Sequence, residues 1–349
     1  MRRRGKARRG AILLAGLAFL ASACGSGKPQ NSLDPAGSYA RKIDALFDPV
    51  FWIAVAVFVL VEGLMVVILV KFRHRPGNPV PRQVHGNKRL EIGWTLAPSL
   101  LLAGVAVFTI PVIFQLAAAP SGDVLRINVT GHQWWWEVRY PAQKIITANE
   151  LHIPVGRKVR ITLTSGDSGS AGRAVIHSFW VPRLAGKQDL EPAHTTHLLI
   201  QADAPGTYLG QCAEYCGLSH ANMHLRVVAE TAANFQTWVQ REGQPARQPP
   251  ADVLAIMTRA DIGCNGCHAI KGVKDPTGSP FIGAVGPDLT HFGSRARFAG
   301  DTFDNTRQNL AAWLHDAPSL KPGVDMPSFV GKLSKQDIDA LVAYLQGLK

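Results

Sequence analysis

Apolar and polar positions along this chain fall into three regimes. In the first, apolar residues run almost unbroken, from Pro49 to Val70 and from Ile92 to Ala119. Each run exceeds the roughly 20 residues a helix needs to cross about 30 Å of hydrocarbon. They predict a two-helix transmembrane hairpin over residues 49–119. The alternative is a buried helical hairpin in a soluble protein. In the second regime, from Asp123 to about Glu230, the period is two. Val124-Leu125-Arg126-Ile127-Asn128-Val129 and Lys158-Val159-Arg160-Ile161-Thr162-Leu163 alternate as half-buried strands do. Turn-forming clusters separate such segments: Ser165-Gly166-Asp167-Ser168-Gly169-Ser170 and Ala204-Pro205-Gly206. Short strands so spaced predict an antiparallel β-sandwich or small barrel, placed at residues 120–240. A polar, Pro-bearing stretch at 241–250 reads as a linker. Beyond it, over 251–349, the signals are helical. Ser334 reads as an N-cap, and Ile338, Leu341, Val342, Tyr344 and Leu345 form one apolar stripe.

Charge changes this picture by its location. Lys and Arg exceed Asp and Glu by 12, and residues 1–9 and 71–89 account for the excess. A nucleic-acid binder would spread its cations over a folded face. Here they flank apolar segments, which predicts membrane orientation and no nucleic-acid partner. The 71–89 loop should be cytoplasmic, with everything after Ala119 facing outward. Residues 1–24 read as a secretory signal: a basic start, an apolar stretch from Ala11 to Leu20, then Ala21-Ser22-Ala23-Cys24. That ending resembles a bacterial lipobox, with Cys24 as the lipidated residue and Ala21 where Leu is usual. An ordinary signal peptide with an incidental cysteine is the alternative. Residues 25–48 would be an exported segment before the first span. A bacterial plasma-membrane protein is implied, with its later domains on the outer side.

The cysteines are Cys24, Cys212, Cys216, Cys264 and Cys267. Cys264-Asn265-Gly266-Cys267-His268 is a C-x-x-C-H attachment signature for a c-type haem. Two thiols would add to the haem vinyl groups and His268 would bind iron; a chance match or a thioredoxin-like C-x-x-C pair is the alternative. Met326, in Gly323-Val324-Asp325-Met326-Pro327, is the one Met after that site and the candidate sixth ligand. A thioether there raises the potential. His291 or His315 as ligand, or an open site, are the alternatives. Cys212 to Met223 places two thiols, His220 and a thioether within one short stretch. Soft thiolate and thioether donors select copper over hard cations, while imidazole suits several metals. A zinc site or a Cys212–Cys216 disulfide are the rival readings, and thioether is a poor zinc ligand.

Gln211-Cys212-Ala213-Glu214-Tyr215-Cys216 through Met223 resembles the binuclear copper A motif of cytochrome c oxidase subunit II. The resemblance implies Cys212 and Cys216 as bridging thiolates. It further implies His220 and His177 (in Val175-Ile176-His177-Ser178-Phe179-Trp180) as imidazole ligands, Met223 as a weak ligand and Glu214 as a carbonyl ligand. It also implies a Mg²⁺ or Mn²⁺ held by the Glu214 carboxylate where subunit I would meet this chain. Gly131-His132-Gln133-Trp134-Trp135-Trp136 is similar to the family's aromatic patch, which makes Trp134 the expected electron-entry residue. Plain packing is the other reading of such a cluster. Glu91-Ile92-Gly93-Trp94 is similar to the start of the family's second membrane helix, where Glu91 would lie at the mouth of a proton channel. An interfacial charge flanking the helix is the alternative. Glu62, inside the first span, lies outside the resemblance; a contact with subunit I is expected there.

The expected molecule is thus a multi-domain membrane protein: a hairpin, a cupredoxin-like sandwich and an all-α cytochrome c domain. Its expected partners are oxidase subunit I, other oxidase subunits, membrane lipid, and a cytochrome or respiratory-complex electron donor. Rivals are the same relay in a nitric oxide reductase, and a copper-delivery protein. The latter needs neither haem nor hairpin. Nitrous oxide reductase shares the copper motif but carries a propeller domain for which the chain has no room.

Overall fold

The computed structural model describes residues 28–73, 76–77, 83, 85–168 and 173–349. The leader with Cys24 lies outside these residues, as do parts of the 71–89 loop and of the 165–170 turn.

Helix α1 spans Ser38–Lys71 and α2 spans Lys88–Ala117. Both are long and apolar enough to cross a membrane, and nearly all their large side chains lie open to the surroundings. Faces this apolar need lipid or a partner helix around them. Asn87 caps α2 by accepting from the Arg89 and Leu90 amides, and Glu91 returns a carboxylate oxygen to the Asn87 amide at 3.2 Å. Helix α1 starts well before the apolar run, because its first turn serves a second purpose. Tyr39 and Ala40 are buried against the strand-rich domain that follows. The Ala36 amide donates to Arg183 O at 2.7 Å, the Asp203 amide to Ala36 O at 3.0 Å, and Arg41 pairs with Asp203. These contacts fix the strand-rich domain on the helical hairpin.

That domain is a two-sheet sandwich. Its strands are β1 Val124–His132, β2 Trp135–Tyr140, β3 Ile145–Ala148, β4 Glu150–Pro154, β5 Lys158–Ser165 and the short β6 Asp167–Ser168 and β7 Arg173–Ala174. β8 His177–Trp180, β9 Gln188–Leu190, β10 Thr196–Ile200, β11 Gly206–Cys212 and β12 His224–Glu230 complete it. One sheet runs β10-β5-β1-β2-β3, the other β4-β12-β11-β8-β9. Strict inward alternation in β1 and β5 buries Leu125, Ile127, Val129, Val159, Ile161 and Leu163 between the sheets. Two pairs, β1–β5 and β4–β12, are parallel, so the sheets are mixed rather than wholly antiparallel. Alternation reports which face is buried, not strand direction.

Helix α3, Ala232–Glu242, closes one end of the sandwich with Phe235 and Trp238. Trp238 stacks on the His152 ring at 4.5 Å. His152 is held between Glu150 at 2.9 Å and Glu230 at 3.1 Å. Burial opposes its charge, but the two carboxylates outweigh burial and raise His152 above its ordinary 6.5. Burial likewise opposes ionisation of Glu150, yet His152 and Arg226 hold its pKa below 4.5. The raised His152 stabilises the fold below 6.5 and loses that effect as pH rises through its folded value. The lowered Glu150 stabilises above 4.5 and loses that effect as pH falls. Relative to His152→Gln, the native chain should therefore have its largest thermal-stability margin between these two values. A Tm difference that does not shrink toward alkaline pH would contradict the charged triad.

The last domain packs α4 Ala251–Thr258, α5 Cys264–Cys267, α6 Arg307–Leu320 and α7 Lys335–Gln346 around a separate core. Two small hairpins, Ala269–Lys274 with Pro280–Ile282 and Arg297–Phe298 with Phe303–Asp304, are added to the helices. Ser334 caps α7 in a reciprocal box with Asp337. The stripe Ile338, Leu341, Val342, Tyr344 and Leu345 is buried, each aliphatic side chain contributing on the order of 1.5–3 kcal/mol.

Candidate metal centres and the interface between them

The sulfur-rich site forms where three segments of the sandwich meet. His177 opens β8, Cys212 ends β11, and the following loop carries Cys216, a 3₁₀ turn at His220–Asn222, and Met223. The Cys212 amide donates to Met223 O and the Ala213 amide to Ser178 O, both at 2.9 Å, which closes the loop over the sheet end. The Sγ atoms of Cys212 and Cys216 lie 3.8 Å apart. His177 Nδ1 lies 3.8 Å from Cys212 Sγ, and His220 Nδ1 lies 3.5 Å from Cys216 Sγ. Met223 Sδ is 3.8 Å from Cys216 Sγ, and Glu214 O is 3.2 Å from Cys212 Sγ. All six residues expected from the sequence are thus gathered. Both thiols are free and buried. Between the thiols, the Cys216 side chain favours a Cys212 thiolate and lowers that pKa, while the same contact pushes Cys216 up. Two sulfurs, each with its own imidazole nitrogen, and a thioether match the needs of two soft ions sharing bridging thiolates. A Cβ on Gly131 would fall 2.9 Å from the His177 ring, so glycine there admits the imidazole. The Glu214 carboxylate accepts from the Tyr215 amide at 3.2 Å. It stands outside the one cluster of His, Cys, Asp and Glu groups within metal-binding reach among the described residues.

In the last domain a cavity is lined by Cys264, Cys267, His268 and Met326 on apolar walls. Of the three candidates for a sixth ligand, Met326 lines it; His291 and His315 do not. His268 Nδ1–H donates to Pro287 O at 2.7 Å, which leaves Nε2 for a metal. Burial lowers the His268 pKa and keeps the ring neutral, as a ligand must be. Arg295, 7% exposed, reaches the same cavity. Its Nη2 donates to Asp288 O at 2.5 Å, while its buried Nε has no hydrogen-bond partner among the described residues. A cationic donor left open on an apolar cavity wall suits a carboxylate of the haem edge. The cavity therefore fits a covalently attached haem.

The two sites are joined by Trp134. This ring is 6% exposed and forms part of the haem cavity wall. Its Nε1–H donates to Cys216 O at 3.0 Å, and Gln133 Nε2 donates to the same oxygen at 2.7 Å. Gly217 and Gly323 flank it: a Cβ on either would lie 2.9 Å and 2.6 Å from ring carbons. Trp135 stacks on His132 at 4.4 Å, and Trp136, fully buried, packs on His177 and Phe179. Lys321, buried beside Trp134, and Arg295 carry no signal in the local sequence. Burial pushes the Lys321 pKa down to about 7, against an opposing pull from Cys216.

Two spanning helices, a cupredoxin-like sandwich and a cytochrome c-type domain define a membrane-anchored electron-transfer protein. Residues 29–112 match the transmembrane domain and 141–231 the periplasmic domain of cytochrome c oxidase subunit II, and 255–349 match cytochrome c. The chain is 40% identical over 329 residues to a cytochrome c oxidase subunit 2 of Alkalihalophilus pseudofirmus, covering 91% of this chain and 90% of that one. It is 35% identical to the Bacillus subtilis cytochrome c oxidase subunit 2, covering 97% of each. The solved periplasmic domain of subunit II from Bradyrhizobium japonicum is 29% identical, covers 35% of this chain and 95% of that one, and has a TM-score of 0.32. The chain belongs to the cytochrome c oxidase subunit II family, and so to an oxidoreductase assembly.

Proposed function

We propose that this chain relays electrons from its own c-type haem to a binuclear copper A centre and on to oxidase subunit I, for O₂ reduction coupled to proton translocation. The observation that carries the reading is Trp134, hydrogen-bonded to Cys216 O and standing in the wall of the haem cavity. When bound, the two metal groups supply reversible one-electron chemistry; the chain supplies binding, orientation and burial. Cys264 and Cys267 would tether the haem, and His268 and Met326 would hold its iron. Cys212, Cys216, His177, His220, Met223 and the Glu214 carbonyl would hold copper. Loop closure by the Cys212 and Ala213 amides keeps these donors in place as charge changes, and burial excludes water. Trp134 serves as the entry point, offering a π-system between the copper loop and the haem cavity. An external cytochrome or respiratory complex would meet the haem domain first.

The finer expectations belong to the same reading. The copper and haem domains would stand on the outer face of a bacterial plasma membrane, with lipid around α1 and α2 and with Cys24 available for lipidation. Exposed Tyr215, 5.8 Å from the His220 ring, would face subunit I, and the Glu214 carboxylate would hold Mg²⁺ or Mn²⁺ there. Glu91, at the loop-side end of α2, would open onto a proton path in subunit I.

Purified full-length chain, expressed with haem attachment and loaded with copper, should show a covalent haem spectrum and a delocalised mixed-valence copper signal by electron paramagnetic resonance. A purely mononuclear copper signal would defeat the copper assignment.

A further inference from the structure

The contact between the two outer domains is built around one lysine. Lys321 follows α6 and is 1% exposed. Its Nζ donates to Trp134 O at 2.7 Å, Asn222 O at 2.9 Å and Ala299 O at 2.8 Å. An ammonium has three N–H donors, and each meets one carbonyl. Two acceptors belong to the copper domain and the third to the haem domain. Lysine is almost never fully buried without partners, so this position is specified by the contact itself.

The segment that receives Lys321 is shaped for it. Ala299, Gly300 and Asp301 all adopt left-handed φ, of 55°, 73° and 58°. Such conformations persist in non-glycine residues only where surroundings impose them. A Cβ on Gly300 would lie 2.5 Å from Lys321 Nζ and 2.8 Å from both Asn222 O and Trp134 O. The same segment crosses to the copper domain. The His224 amide donates to Gly300 O at 2.8 Å, and Arg226 pairs with buried Asp301 at 2.8 Å. Immediately after Lys321, Pro322 O accepts from Ser219 Oγ at 2.6 Å, and Gly323 abuts the Trp134 ring.

We propose that Lys321 is a positioning residue for interdomain electron transfer. It pins the loop that carries Met326 onto Trp134 and the copper loop, so that the fused haem is a fixed donor rather than one that swings on residues 241–250. The proposal rests on the relay reading above. The step it controls is one electron, lost by the ferrous haem and gained by the oxidised copper pair, with no bond made or broken and no third reagent. Methionine at this position would fill the stem's volume but withdraw all three N–H donors; Thr302 Oγ1 also reaches Asn222 O and Ala299 O but has one hydrogen to give, so Trp134 O and one of these two lose their donor, which opposes docking.

The test uses full-length chain loaded with haem and copper, with Lys321→Met compared with the native protein. In the variant, hydrogen exchange at the His224 amide should accelerate at least about tenfold, because that amide bonds across the interface. Haem-to-copper transfer after flash reduction should slow at least about tenfold and become sensitive to added viscogen, a rate loss in keeping with small misplacements of reacting groups. The haem and copper spectra should be unchanged, which a general loss of structure would not allow. An unchanged transfer rate overturns the proposal. Should the variant fail to fold, the native chain decides: a pinned donor gives a rate independent of viscosity, and a viscosity-dependent native rate overturns the pin. Trp134→Phe tests the underlying route separately. If it leaves the rate unaltered, the Trp134 reading fails whatever Lys321→Met shows.

Discussion

Replacing Cys216 with Ser should abolish the binuclear copper signal and reduce electron delivery through this chain by at least about 100-fold. Cys216 is the most connected residue of the site. Its Sγ lies within 3.8 Å of Cys212 Sγ, His220 Nδ1 and Met223 Sδ. Its carbonyl accepts from both Gln133 and Trp134. The substitution removes the thiolate and spares the carbonyl, so the Trp134 contact survives while the bridge is lost. A serine hydroxyl is a hard donor that stays protonated near neutral pH, and it cannot replace a soft bridging thiolate. Copper should bind, if at all, as a mononuclear species. The haem absorption spectrum should be unchanged, because the haem cavity has its own core. Paramagnetic resonance together with copper-to-protein stoichiometry reads the outcome. A surviving delocalised signal would remove Cys216 from the bridge.

Sequence pattern reaches some parts of this molecule and not others, and the division follows the range of the contacts. The copper loop is legible because its donors lie within one turn-rich stretch, from Cys212 to Met223, and local spacing alone brings them together. C-x-x-C-H is legible for the same reason. His177 comes from a different strand, β8, and only family resemblance points to it, since a lone His on a strand is not distinctive. The sandwich was readable from period-two alternation, but the parallel pairing of β1 with β5 was not, because alternation carries no direction. The early start of α1 depends on Tyr39 and Ala40 docking to the sandwich domain, a tertiary contact with no local signature. Lys321 and Arg295 have no such signature, because charged residues are ordinarily solvated. Their burial follows from a cavity and an interface that exist only once both domains have folded and met. Trp134 stands between the two cases: the aromatic run is visible in the chain, but its position between the copper loop and the haem cavity is not.

Met326→Ala should remove the methionine-to-iron charge-transfer band and lower the haem midpoint potential. A fall on the order of 0.1 V or more is expected, within the ~0.8 V range that axial ligation spans. Covalent attachment should persist, because Cys264 and Cys267 are untouched. The discriminating feature is the geometry of the rivals. His291 is buried elsewhere, with Nε2 3.1 Å from Gln244 O, and neither it nor His315 lines the cavity. A histidine ligand in the native protein would leave the charge-transfer band absent from the start, and an unchanged band in the variant would rule Met326 out. The loss should also slow transfer to copper, even though a lower potential makes the haem a stronger reductant. Met326 shares its loop with Gly323, which abuts Trp134, so releasing the thioether from iron loosens one end of the segment that Lys321 holds at the other. Slowing despite a larger driving force would show that the position of this loop, and not the potential alone, governs the rate.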